Sequence, residues 1–199
     1  MSGMRDHEVV SIYPFSEEEV DTLMGTAIES VLMWATKDGW PVGVNHAFIW
    51  RDGKVWLTFA SHRHRAAAIR RDNRVSVSVS SATYPEGTSK DLPQGGITFK
   101  GTGEFFDDAE TKGWFYQALV EKTHPDDESM QKVFIGILDS PLRAILCVTP
   151  VKKIMYNSSL VAKHASGKVS EDELGPRLSS DKDRLKKKYD DKGIERDES

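Results

Sequence analysis

Five arginines and two histidines fall within residues 61–74, Ser61-His62-Arg63-His64-Arg65-Ala66-Ala67-Ala68-Ile69-Arg70-Arg71-Asp72-Asn73-Arg74, of a chain whose net charge is −4. The segment stands where an apolar strand pattern stops and an Ala-rich helical pattern starts. The first turn of a helix carries backbone N–H groups with no intrahelical acceptor, and that end attracts anions. With a hydroxyl at Ser61 and guanidinium groups at Arg63 and Arg65 beside it, such an end suits a phosphate monoester, which guanidinium groups grip through charge-assisted hydrogen bonds. Arg70, Arg71 and Arg74 read differently, as solvated charges that follow the helix and cap its far end. On residue types alone, Ser61, Arg63 and Arg65 stay open between anion site and surface charge.

The other reactive side chains have plainer readings. His62 and His64 have the spacing of alternate strand positions, but the candidate carboxylate is far away in sequence, so no metal site is expected. Cys147 is the single cysteine, which excludes an internal disulfide and a thiolate metal cage; alternating with Ile145, it reads as a small apolar residue in a packed face. Trp34, Trp40, Trp50, Trp56 and Trp114 read chiefly as core or interface anchors. His124-Pro125-Asp126-Asp127 is a turn and a helix start rather than an acid–base pair. There is no P-loop, GxSxG elbow or paired set of Rossmann glycines, and no side chain is assigned as a catalytic group.

The elements that must position the basic segment follow from periodicity. Ser16-Glu17-Glu18-Glu19 is a capping-box pattern that predicts a short helix to about residue 24. Strand patterns cover 31–36, 42–50 and 55–60, with turns at Lys37-Asp38-Gly39 and Arg51-Asp52-Gly53-Lys54. A short helix over 65–71 precedes Arg74-Val75-Ser76-Val77-Ser78-Val79-Ser80, whose strict alternation gives one apolar face and one of small hydroxyls. A polar loop over 82–95, a strand over 97–106, a helix opened by Asp107-Asp108, a short second helix near 127–133 and strands over 142–149 and 151–156 complete the pattern, with Pro150 at a bend. Antiparallel strands with short helices in the crossovers predict a small, mainly β (α+β) barrel.

Composition sets the outer bounds. The 199 residues are 38% hydrophobic and 29% charged, which is ordinary for a soluble domain and excludes collagenous and wholly disordered chains. No stretch approaches the roughly eighteen apolar residues of a membrane span, and Met1-Ser2-Gly3-Met4-Arg5-Asp6 lacks the apolar core of a signal peptide, so a cytoplasmic protein without membrane contact is expected. Residues 158–199 carry ten basic and ten acidic side chains, so the first 157 hold the whole net charge. A chain with that negative balance is a poor general binder of nucleic acid. The chain therefore divides into a domain over 1–157 and a charged extension over 158–199, read as mobile or partner-dependent or as a solvated helix on Leu174, Leu178, Leu185 and Tyr189.

Trp50-Arg51-Asp52-Gly53-Lys54-Val55-Trp56, the Ser-containing basic loop, and then Ile69-Arg70-Arg71-Asp72-Asn73-Arg74-Val75-Ser76-Val77 together resemble the pyridoxamine 5′-phosphate oxidase-like split β-barrel flavoproteins. The resemblance covers roughly residues 17–157; Gly101-Thr102-Gly103-Glu104 followed by Asp107-Asp108 looks like the family's fifth strand and the helix after it. It implies a six-stranded antiparallel split barrel of the FMN-binding type, forming a homodimer with two cofactor sites at the subunit interface. It places the cofactor phosphate at Arg65, with Ser61, Arg63 and His64 beside it. It lines the ring system with Thr58 to Ala60 and with Val44, Asn45 and His46, and sets Ser76, Ser78 and Ser80 near the dimer seam or the phosphate. The lysine-bearing strand motif and the C-terminal arginine and histidine pattern of pyridoxamine phosphate oxidase itself are not evident, so a vitamin B6 substrate is not implied.

The function this implies is a flavin-dependent oxidoreductase that passes a hydride or electrons to a small organic substrate, with FMN as cofactor and His46 or Asn45 bonding the ring or substrate. The deazaflavin coenzyme F-420 is the alternative; its acidic tail would favour a longer cationic groove, for which Arg70, Arg71 and Lys100 are available. A non-catalytic module for flavin or haem, and an interaction protein recruiting a partner through its charged extension, are the readings from other classes.

Overall fold

The capping pattern at Ser16 forms as its residues predict. In the computed structural model the Ser16 hydroxyl accepts from the Glu19 N–H (3.1 Å) and the Glu19 carboxylate accepts from the Ser16 N–H (2.7 Å), which starts helix α1 (Glu17–Thr26). The structure describes residues 13–175 and 179–194. Phe15–Met155 forms one compact unit, and the described residues on either side of it form another.

Within the larger unit the strands are β1 (Glu29–Ala35), β2 (Pro41–Ala47), β3 (Ile49–Arg51), β4 (Lys54–Ala60), β5 (Arg74–Ser80), β6 (Gly95–Phe106) and β7 (Arg143–Asn157), which continues into the second unit. Helix α2 (His64–Arg71) joins β4 to β5, and α3 (Ala109–Thr123) and α4 (Glu128–Leu138) join β6 to β7. The strands make one sheet in the order β2-β1-β5-β6-β7-β4-β3. The pairs β1–β2, β1–β5, β3–β4, β4–β7 and β5–β6 are antiparallel. The sheet curls so that β2, at one end, comes beside β4 near the other, giving a half-barrel.

The sheet has seven strands where the resemblance implies six, and two elements depart from the sequence pattern in ways that cancel in the count. The run 42–50 is two strands. β2 pairs with β1 and β3 with β4, at opposite ends of the sheet, so the chain must leave one edge to join the other, and it does so at the fully buried Phe48. Conversely, 142–149 and 151–156 are one strand running through Pro150. β4 pairs with β7 only as far as Val148, so beyond it that edge needs no donor and a proline is tolerated.

The apolar side of each alternating strand faces the interior. Val75, Val77 and Val79 of β5 join Leu32 of β1 and Leu57 of β4 in the main core, closed by Leu23 of α1 and Ile69 of α2. Behind β4 and β7 a second cluster sets Ile145 under Phe115 and Leu119 of α3. Gly101 of β6 passes so near β7 that a Cβ there would stand 2.5 Å from the Thr149 carbonyl oxygen.

In the smaller unit, the Asn157 side chain accepts from the Leu160 N–H (3.1 Å) and opens α5 (Ser158–Ala165). Tyr13 forms a parallel bridge with Tyr156, and its hydroxyl meets His164 Nδ1 at 3.2 Å. The charged extension continues into α6 (Ser179–Lys192), in which Leu185 is half-buried and Tyr189 buried; Leu178 lies outside the described residues. Among the described residues no helix is long and apolar enough to cross a membrane.

Candidate functional site

β4 ends at Ala60, opposite Arg143 of β7. The chain turns there: the Arg63 N–H donates to the Ala60 carbonyl (3.0 Å) and the Ser61 N–H donates to the Leu142 carbonyl (2.7 Å), which ties the turn to the segment before β7. α2 begins with Arg63 at its N-cap, extended and supplying no side-chain cap, and its first turn contains no acid. The N–H groups of His64 and Arg65 find no acceptor among the described residues. An uncapped helix start with only cations beside it is a local positive site in an acidic chain.

Arg65 is the centre of that site. It is half-buried, and its Nη1 lies 2.5 Å from Nε2 of His46 on β2. Its Cζ stands 5.5 Å from the ring centroid of Phe59 and 5.9 Å from that of Trp34. A guanidinium can only donate, so Nε2 of His46 is the acceptor and Nδ1 carries the ring proton. Burial, and after it the Arg65 charge, push His46 down to about 4, so the ring is neutral at ordinary pH. Burial also lowers Arg65, with Arg63 adding to the effect. No carboxylate pairs with Arg65 among the described residues.

The other expected site residues are only partly gathered here. Arg63 and His64 are exposed at the start of α2, with Ser61 half-buried in the turn. Thr58 is beside the site in the chain, but its hydroxyl donates to the Ala144 carbonyl (2.9 Å) on β7, and Phe59, its neighbour on the other face, is the one that meets Arg65. Ala60 contributes its carbonyl to the turn. Asn45 is exposed and donates to Glu29 (3.4 Å), so of the two candidate β2 side chains only His46 joins Arg65. The Ser78 hydroxyl accepts from Thr98 (3.1 Å), on the strand face opposite the buried Val77 and Val79.

The three arginines read as helix followers are engaged locally. Arg70 lies over Phe105 (4.6 Å), Arg71 donates to the Ala35 carbonyl (3.0 Å), and Arg74 grips Asp72 (2.6 Å). On the outer side of β1, β5 and β6 a mainly apolar groove of about 590 Å³ opens between Met33, Pro41, Ser76, Lys100 and Val151. Of the two aromatic walls of the Arg65 site, Phe59 falls within the Thr58 to Ala60 span that the resemblance placed there, whereas Trp34 carried no signal beyond its alternation on β1, because its role depends on how the sheet curls.

No protein-family model matches the sequence, and no curated protein matches it. The curled half-barrel has the split-barrel fold of the pyridoxamine 5′-phosphate oxidase-like proteins. A conserved hypothetical protein of Mycobacterium tuberculosis superposes with a TM-score of 0.62 at 18% identity, covering 80% of this chain and 92% of that one. A candidate pyridoxamine 5′-phosphate oxidase of Listeria innocua gives 0.52 at 13% identity, covering 71% and 98%. HutZ, the heme storage protein of Vibrio cholerae, gives 0.54 at 13% identity, covering 71% and 95%.

Proposed function

We propose that the turn before α2 holds the phosphate of a flavin cofactor, FMN, and that the protein is a flavin-dependent oxidoreductase acting on a small organic substrate. The observation that carries this reading is Arg65, a half-buried cation with no carboxylate partner among the described residues, beside an uncapped helix start with two unpaired N–H groups. These groups fit a phosphate monoester: Arg65 and Arg63 supply charge, and His64 and Arg65 supply main-chain donors. When bound, the flavin supplies hydride or electron transfer. The chain's own part is to hold and orient the group. Thr58 and Asn45 are committed to other protein atoms, so their side chains are not the expected ring partners.

The same geometry favours FMN over the deazaflavin coenzyme. Of the three cations a longer groove for an acidic tail would draw on, Arg70 lies over Phe105, Arg71 donates to the Ala35 carbonyl and Lys100 lines the outer groove, which gives that reading less support. We also propose a homodimer, with a second copy covering the apolar groove beside β1, β5 and β6. Absorbance and fluorescence titration of the purified protein with FMN, the deazaflavin and haem tests the assignment. Tight FMN binding, with turnover of a reductant, supports it; FMN bound without any turnover supports a storage or sensing module, and haem binding in place of flavin overturns the cofactor.

A further inference from the structure

A guanidinium beside an imidazole pairs a fixed cation with a ring that can become one, and protonation of the histidine would set two cations 2.5 Å apart. The surroundings of His46 keep that from happening. β1 faces it with Ser30, buried, whose hydroxyl donates to the His46 carbonyl (3.2 Å) and pins the main chain. β4 faces it with Phe59, ring centroids 5.7 Å apart, and α2 faces it with Arg65, its one charged neighbour among the described residues. Glu29 on β1 accepts from Asn45 on the other face of β2, and among the described residues no carboxylate acts on the imidazole.

We propose that His46 is a positioning residue, whose neutral ring accepts through Nε2 and holds the Arg65 guanidinium in place to take up an anion. The inference rests on the phosphate reading of the turn, and it moves His46 from a partner of the flavin ring to a partner of the phosphate-binding arginine. With Nη1 turned to His46, the Nε–Nη2 edge of Arg65, the pair of donors that matches two oxygens of a phosphate, has no protein partner among the described residues. A guanidinium held by a carboxylate would meet the ligand already neutralised; held by a neutral imidazole, Arg65 keeps its full charge for the ligand.

The test combines nitrogen-15 spectroscopy of the histidine rings with FMN and orthophosphate titrations at pH 7.5. In the wild type His46 is expected as the Nδ1–H tautomer with a midpoint near 4, and in Arg65→Ala that midpoint rises by the share the Arg65 charge holds down, burial still keeping it below the ordinary value, and the tautomer is no longer fixed. His46→Phe, which keeps an aromatic ring on Phe59 but removes the acceptor, weakens FMN about tenfold, and His46→Gln, which restores an acceptor, recovers most of the loss. A wild-type His46 that titrates near 6.5 or carries its proton on Nε2 overturns the proposal, and so does a folded His46→Phe that binds FMN as the wild type does. Wild-type protein that binds neither FMN nor orthophosphate overturns the phosphate reading itself, whereas normal FMN binding with an unaffected His46→Phe removes the positioning role alone.

Discussion

Nζ of Lys122, on α3, donates to the carbonyl oxygen of Met24 at 3.0 Å and lies 3.9 Å from the centroid of the Phe48 ring. α1 has no basic residue in its own last turn, so α3 supplies the cation that its C-terminal carbonyls attract. The same ammonium packs on the residue at which β2 gives way to β3. Burial pushes Lys122 down to about 8. The folded state therefore releases this proton more readily than the unfolded state, whose lysine titrates near 10.5. The penalty for burying the charge is present below pH 8 and fades as the pH climbs toward 10.5. Thermal melts of the wild type and Lys122→Met between pH 7 and 10 check this: the wild type gains stability relative to the variant as pH rises, and a constant difference contradicts the assignment.

Gly101 and Gly113 make opposite predictions from the same substitution. A Cβ at Gly101 meets the Thr149 carbonyl oxygen at 2.5 Å and Val148 Cγ1 at 3.0 Å, both on the neighbouring strand. Gly101→Ala therefore costs about 1–3 kcal/mol as β6 and β7 are forced apart. Gly113 sits within α3 with open space where its Cβ would be. Gly113→Ala stabilises by roughly 0.5–1 kcal/mol through helix propensity. Urea denaturation of both variants reads the two signs.

What could be read from the chain and what could not divide along a physical line. Ser16 with Glu19, the alternation from Arg74 to Ser80 and the helix after Ser61 are local features, written within a few residues, and all three form. The break at Phe48 and the continuity through Pro150 depend on which edge of the sheet each strand joins, and no window of sequence holds that information. The site divides in the same way. The basic cluster marks the turn before α2, but its sorting into one half-buried Arg65 and three arginines committed to Phe105, Ala35 and Asp72 comes from the curl of the sheet. Asn45 and His46 are adjacent in sequence and fall on opposite faces of β2, so only one can meet Arg65.

The outer groove predicts the behaviour of the assembly. Val151 lines it at 75% exposure, and Trp40, next to Pro41 of the lining, is 70% exposed. Apolar surface of that kind is a site for association. Sedimentation of the wild type is expected to give a dimer, and Val151→Glu, which sets a charge on the groove, shifts it to monomer with an unchanged melt of the isolated fold. A wild type that sediments as a monomer at all concentrations removes the second copy from the account.

The central claim is that Arg65 binds a cofactor's phosphate, and the ligand pair FMN and riboflavin isolates that group because the two differ only by it. Dissociation constants for both are to be measured by fluorescence quenching with the wild type, Arg65→Ala and Arg74→Ala, whose arginine is already bound to Asp72. A charge-assisted grip of this kind is worth about 1.5–3 kcal/mol, or roughly 10- to 150-fold. The account predicts that the wild type prefers FMN by at least that margin, that Arg65→Ala loses most of the preference while leaving riboflavin binding alone, and that Arg74→Ala keeps it. Equal affinity of the wild type for FMN and riboflavin, or a preference that survives in Arg65→Ala, would contradict it.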